Sequence, residues 1–234
     1  MQPLKDPSGK IYSPTKSKFS SYAKVVAFAL AVFLALSCFF YLNSHFAKII
    51  SGTSMCPNLN AQFAGQKDLV LVNKFAKREY KDIVIIDVKG LDYFDTKGTK
   101  LLVKRIIALE GEKLKLLHNT QTSKNEIWIK NDKNPNGVRL EEDYITPDTD
   151  EHIIDVFNNQ ANWIKTCEVD ADGYITIPKG YVFCMGDNRN ASLDCRYVGP
   201  FELSRVLGVV DYIIYDGTIW HDIFATLFQF DLNF

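Results

Sequence analysis

The run "KLLVKRIIAL", residues 100–109, decides the fold, because its residue types and spacing belong to a β-strand. It is short, rich in β-branched and aliphatic residues, and bounded in the way strands usually are. Six further runs share that character: "DLVLVNKF" (68–75), "DIVIIDV" (82–88), "EIWIK" (126–130), "YITIP" (174–178), "YVFCMGD" (181–187) and "VLGVVDYIIY" (206–215). Together they predict a mainly β body with few helices. "PFELSR" (200–205) reads as a single helical turn. Between 119 and 173 the chain turns polar and turn-rich, as in "NTQTSKNE", "KNDKNPNG" and "TPDTDEH", which predicts a small inserted β subdomain. The apolar C-terminal run "IWHDIFATLFQF" is expected to pack on the core rather than dip into a bilayer interface.

One segment does not fit a soluble β body. Residues 25–42, "VVAFALAVFLALSCFFYL", hold no charge over eighteen positions. As a helix they would span roughly 27 Å, close to the ~30 Å hydrocarbon core of a bilayer. The preceding tail carries Lys5, Lys10, Lys16, Lys18 and Lys24 against Asp6 alone. The positive-inside rule keeps that tail cytoplasmic and exports the chain beyond residue 42. A cleavable signal peptide has a shorter apolar region and ends in small residues. Here the exit reads "FFYLNSHFAK", bulky and aromatic, which favours an uncleaved anchor.

At 234 residues the chain is long enough to bury a sizeable core. Its net charge of −1 supplies no basic face, which removes nucleic acid as an expected partner. The five cysteines, Cys38, Cys56, Cys167, Cys184 and Cys195, show no paired C-x-x-C spacing, so no structural zinc and no other cofactor is expected. One disulfide among Cys167, Cys184 and Cys195 stays open for an exported domain.

Ser54 lies twelve residues beyond the span, in the small-residue loop "SGTSMCPNL", residues 51–59. An extended chain keeps Ser54 within roughly 43 Å of the bilayer. A serine nucleophile needs a group to take its proton. Of the four histidines, His45, His118, His152 and His221, none lies in a run that looks like a site. Lysine is the alternative. On a strand Lys104 shares a face with Leu102 and Ile106. Burial there would lower its pKa, whereas an ordinary lysine near 10.4 is neutral in only about one molecule in 2,500 at pH 7. Arg105 points to the other face, between Val103 and Ile107, and should need an acidic partner. A third polar run, "GDNRNASLDCR" (186–196), comes directly after an apolar strand and supplies residues that can brace one another, with Ser192 able to aim a lysine amine.

The runs "SGTSMCPNL", "KRIIALEGE" and "GDNRNASLDCR", in this order behind an N-terminal anchor, resemble bacterial type I signal peptidase, the leader peptidase family of Ser/Lys proteases. "GQKDLVLVNKF" (65–75) and "KDIVII" (81–86) resemble that family's intervening strands, and the likeness covers roughly 49–117 and 174–215. The resemblance implies Ser54 as nucleophile and Lys104 as general base, with Ser192 orienting the lysine. It implies bracing roles for Asp187, Asp194 and Arg196, and an oxyanion donor in the Ser54 backbone N–H. Ile50, Met55, Leu59, Leu102 and Val103 fall where the family lines pockets for small side chains and pairs with substrate as a strand. Gly52 stands where some members place a hydroxyl residue of the oxyanion hole, so the second donor stays open. Asn58 replaces the usual Thr, Ala108 and Glu110 replace the commoner Gly and Pro, and Cys195 replaces Ser before Arg196. Cys56 as nucleophile is disfavoured, because on an extended segment its side chain would point away from that of Ser54.

The implied organisation is a cytoplasmic tail (1–24), a transmembrane anchor (25–42), a catalytic β domain (43–118 and 174–234) and the inserted subdomain (119–173). The implied activity is removal of signal peptides from exported preproteins after small residues at −1 and −3, on the outer, periplasmic side of the cytoplasmic membrane. Signal peptides and the lipid bilayer are the expected partners. Two rivals are a silent paralogue that binds one exported substrate and a specialised relative that processes one. A soluble self-cleaving Ser/Lys repressor is excluded by the anchor and the missing DNA-binding domain.

Overall fold

The computed structural model describes residues 7–8, 18–60, 67–95, 98–121, 124–145 and 167–227. It divides into two compact units, Met1–Asn43 and Ser44–Phe234. In the first, helix α1 runs Lys18–Ser44. Its portion Ser21–Ser44 is long and apolar enough to cross a membrane, and its side chains are exposed. It overruns the expected span of 25–42 at both ends. Lys5, Lys10 and Lys16 of the basic tail lie outside the described residues.

The second unit is mainly β. A seven-stranded sheet has the order β1-β2-β11-β3-β4-β9-β10, built from His45–Ile49, Leu69–Asn73, Val206–Ile214, Ile83–Asp87, Leu101–Ala108, Tyr181–Met185 and Phe201–Glu202. Its pairings are antiparallel. A four-stranded sheet has the order β7-β6-β5-β8, from Asn134–Arg139, Lys124–Asn131, Lys113–Asn119 and Ile175–Thr176. It straddles both limits of the 119–173 stretch, whose run "TPDTDEH" falls outside the described residues.

Alternation explains how one strand serves two cores. Val84 and Ile86 of β3 join a large cluster with Ile106, Leu114, Ile127 and Phe183. Ile85, between them, faces a second cluster with Ile50, Met55, Leu59, Val70 and Val72. A strand buried on both faces reads as the continuous apolar run that the sequence shows. Among the described residues three short helices complete the unit: α2 (Asp92–Asp95), α3 (Cys195–Val198) and α4 (Ile219–Leu227). The "PFELSR" run is only partly helical. Phe201 pairs with Val182 as a strand, and a 3-10 turn comes next over Leu203–Arg205. Within α4, Phe224 packs against Ala47, Leu69 and Leu71, and His221 is buried. Ile219, Trp220 and Ile223 remain exposed.

Candidate active site

Register brings the three polar runs together. Strand β4 lies between β3 and β9, with Lys104 opposite Val84 and Arg105 opposite both Ile83 and Met185. Because β9 ends at Met185, the 186–196 loop leaves the sheet beside Lys104 and Arg105. The 51–60 loop is a succession of turns rather than an extended segment, closed by Cys56 N–H to Thr53 O and Leu59 N–H to Met55 O. Met55 and Leu59 anchor it in the second cluster, and Ser54 stays half-buried between them and the loop's start.

Lys104 Nζ donates to Ser54 Oγ at 2.8 Å and to Val103 O at 2.9 Å. Only 2% of the lysine is exposed. Burial lowers its pKa from the ordinary 10.5 to about 8, against the opposing pull of Asp194 and the neighbouring thiols. Among the described residues no carboxylate forms an ion pair with it. It is therefore an amine whose charged form burial disfavours, with one N–H fixed by a carbonyl and the nitrogen aimed at a hydroxyl.

The surrounding charges are paired. Arg105 binds Asp187 through Nε at 2.8 Å and Nη2 at 2.6 Å, which answers the need for an acidic partner. Asp187 also accepts from Asn58 Nδ2 at 2.8 Å. Arg196 binds Asp194 through Nε and Nη2, both at 2.9 Å. Burial alone would raise the Asp194 carboxyl, but Arg196 and the Gly186 N–H outweigh it and hold it below the usual range. Asn188 N–H donates to Ser54 O at 3.1 Å, tying this loop to the backbone of the serine. Ser192 is buried near enough to help hold Asp194 ionised, but its hydroxyl reaches no partner with hydrogen-bond geometry among the described residues.

A groove of about 380 Å³ runs from Ser54 and Lys104 along Lys48, Ile50, Gly52, Met55, Thr99, Leu102 and Val103. Four of the five expected substrate-contacting residues line it. Leu59 does not; it is fully buried with Ile50 and Met55. Gly52 has φ +103° and open space where a side chain would project.

The other candidates lie elsewhere. His45 contacts Ser44 and Asp211, His118 contacts Asn125, and His221 contacts Lys67 O; His152 is outside the described residues. Cys56 donates to Asn60 O at 3.2 Å, and burial, then Asp68, raises its pKa, so the thiol is not activated. Cys38, Cys56, Cys184 and Cys195 are free thiols.

Several bracing residues carry no sequence signal. Asn60, in the left-handed region at φ 56°, donates to Gly52 O and Ile50 O and exchanges two bonds with Asp68. Tyr144 lies 4.1 Å from the Arg105 guanidinium, and its carbonyl accepts from Asn58. Glu142 pairs with the buried Arg189, whose Nε holds Gly186 O. Asn60 alone offered a hint, since Asn is among the few residues that accept a positive φ.

The comparisons with known proteins agree with one another. A family model described as signal peptidase, peptidase S26, matches residues 20–215. Signal peptidase I V of Bacillus subtilis (strain 168) is 28% identical over 198 residues, covering 83% of this chain and 97% of that protein. Signal peptidase I of Bacillus licheniformis is 29% identical over 206 residues, covering 86% and 92%. Thylakoidal processing peptidase 1 of Arabidopsis thaliana is 27% identical, covering 83% of this chain and 51% of its own. A solved signal peptidase I from Enterococcus faecalis V583 is 25% identical with a TM-score of 0.35, covering 58% of this chain and 97% of that one. The chain belongs to the signal peptidase family, peptidase S26, and is a serine endopeptidase of the type I signal peptidase kind that acts on the signal peptides of exported preproteins.

Proposed function

We propose that this protein cleaves signal peptides with a Ser54/Lys104 dyad, after small residues at −1 and −3, while anchored by α1 in the cytoplasmic membrane with its β domain on the outer side. The observation that carries this reading is the 2.8 Å contact between a hydroxyl and an amine whose pKa is near 8.

The chemistry rests on those two atoms. With Lys104 neutral, its lone pair accepts the Ser54 proton while Oγ attacks the scissile carbonyl. The Val103 carbonyl keeps an N–H of the amine occupied and so directs the lone pair at Ser54. The Ser54 backbone N–H stands as one donor to the oxyanion. Lys104 then passes its proton to the leaving amine, takes another from water, and the resulting attack releases the acyl group from Ser54. Asp187, Asp194 and Arg196 position the 186–196 loop against both, and Ser192 packs beside Gly186 at the same point. Ile50, Met55, Leu102 and Val103 leave a shallow apolar groove, which suits the small residues that end signal peptides. Holding enzyme and substrate in one bilayer raises their effective concentration.

The deciding experiment is cleavage of a preprotein ending in Ala-x-Ala by the full chain in detergent, alongside Ser54→Ala. Cleavage by the wild type alone is the expected result. Equal cleavage by both would sink the dyad, and binding without cleavage by the wild type would favour a silent paralogue.

A further inference from the structure

The groove continues past the residues that the proteolytic reading uses. Beyond Leu101 and Leu102 it is lined by Thr99 and Lys100, and across from them by Lys48, two residues before Ile50. Among the described residues, its lining includes Lys48 and Lys100 besides Lys104 and not one Asp or Glu. Lys77, Lys81, Lys113 and Lys130 of the domain each have a carboxylate within ion-pair distance. Among the described residues, Lys48 and Lys100 form no such pair. Two cations facing one groove, in a wall without acids, are electrostatically incomplete.

Distance along the strand locates them relative to the cut. Lys100 precedes Lys104 by four residues, about 13 Å at a strand's rise. A substrate lying in the groove as a strand covers that distance in four residues. Since Leu102 and Val103 serve the small residues before the scissile bond, the lysines lie further along the same, amino-terminal side.

We propose that Lys48 and Lys100 form a subsite for an acidic side chain at about position −5 of the substrate. This rests on the proteolytic reading and deepens it: the small residues permit cleavage, and the charge further back ranks one substrate against another. A lysine at the same position is disfavoured by like charge. Exposed pairs of this kind are individually weak, so the expected preference is about three- to fivefold for Glu over Gln and a similar step for Gln over Lys.

Three fluorescent peptides, identical except for Glu, Gln or Lys at −5 and with Ala at −1 and −3, test this. Their affinities are measured by anisotropy on the full-length Ser54→Ala protein in neutral detergent. Glu should bind tightest and Lys weakest. The spread should shrink towards one in Lys48→Gln/Lys100→Gln, and also in about 1 M salt, where screening acts within ~3 Å. Equal affinities for the three peptides overturn the subsite. So does a double variant that keeps the full spread while losing affinity for phosphatidylglycerol vesicles, which would assign the lysines to lipid. Turnover of the Gln peptide by wild-type protein reports separately on the proteolytic reading, since the binding ratios do not require cleavage.

Discussion

Arg105 holds Asp187 through two parallel hydrogen bonds, one strand position beyond Lys104, and the carboxylate they share is fully buried. Asn58, four residues after Ser54, donates to the same carboxylate. One acidic group thus joins the strand of the lysine, the loop of the serine and the 186–196 loop. Removing one member of a buried pair strands the other, at a cost of about 3–5 kcal/mol. Asp187→Asn should lower the urea midpoint accordingly and reduce kcat more than it raises KM. An unchanged midpoint would show that the pair does not hold the loops together.

Asn58 offers a gentler probe of the same junction. Its amide also donates to Tyr144 O, so one side chain makes two bonds. Asn58→Ala should cost about 1–3 kcal/mol, because buried acceptors lose their donor. Asn58→Thr, with a single hydroxyl proton, should recover part of that loss. Thermal unfolding of the two variants would separate them; identical melting temperatures would remove Asn58 from the network.

The depressed pKa of Lys104 fixes the sign of the pH dependence. The neutral fraction grows tenfold per unit below the folded pKa and levels off above it. kcat/KM should therefore rise about tenfold from pH 6 to 7 and flatten above about 8. Lys104→Arg should be inactive throughout, since a guanidinium keeps its proton in this range. A flat profile between pH 6 and 9 would exclude this amine as the base.

The same amine weakens the fold. Its pKa drops from 10.5 to about 8 on folding, so between those values the unfolded chain binds more protons and stability rises with pH. Below pH 8 the penalty is at its full size, about 3 kcal/mol for a shift of this order. Lys104→Met keeps most of the side-chain volume and removes the buried charge. It should be more stable than wild type at pH 7, with the gain shrinking at pH 10. Denaturant titration at the two pH values checks this, and a less stable variant at pH 7 would contradict it.

Where burial shaped the residue choice, the fold could be read in advance. β2, β3, β4 and β9 are apolar because the sheet is covered, and their runs stand out; β11 stands out too, although Leu207, Asp211 and Tyr212 are exposed. β7 does not, because nearly all of Asn134–Arg139 is exposed and it is held in place by its pairing with β6. β5 alternates polar and apolar only over Lys113–Leu116, and the five residues of β1, HFAKI, follow no alternation, so neither is distinctive. The pairing of Ser54 with Lys104, and the need of Arg105 for an acidic partner, were legible because chemistry dictates the residue type. Asn60 with Asp68, and Glu142 with Arg189, were not. Those pairs exist only because the fold brings distant, ordinary polar residues together. The turn structure of the 51–60 loop was likewise hidden: Cys56 is excluded as nucleophile by its own hydrogen bond and burial, not by an extended backbone.

Gly186 is the tightest point of the site. A Cβ there would lie 2.5 Å from Ser54 O and closer still to Ser192 Oγ, and both neighbours are held by other bonds or by packing. The N–H of Gly186 binds Asp194 and its carbonyl accepts from Arg189, so the residue cannot retreat without disturbing both. Gly186→Ala should therefore push the serine's backbone away from the loop and lengthen the Ser54–Lys104 contact. Misplacing reacting groups by about 1 Å can cost on the order of 100-fold in rate. Adding Ser192→Ala removes the hydroxyl clash but leaves the Cβ of residue 192 and the Ser54 carbonyl, each at 2.5 Å, so the double variant should regain little stability and stay slow. Full activity in Gly186→Ala would mean that the loop moves freely and does not set the position of Ser54.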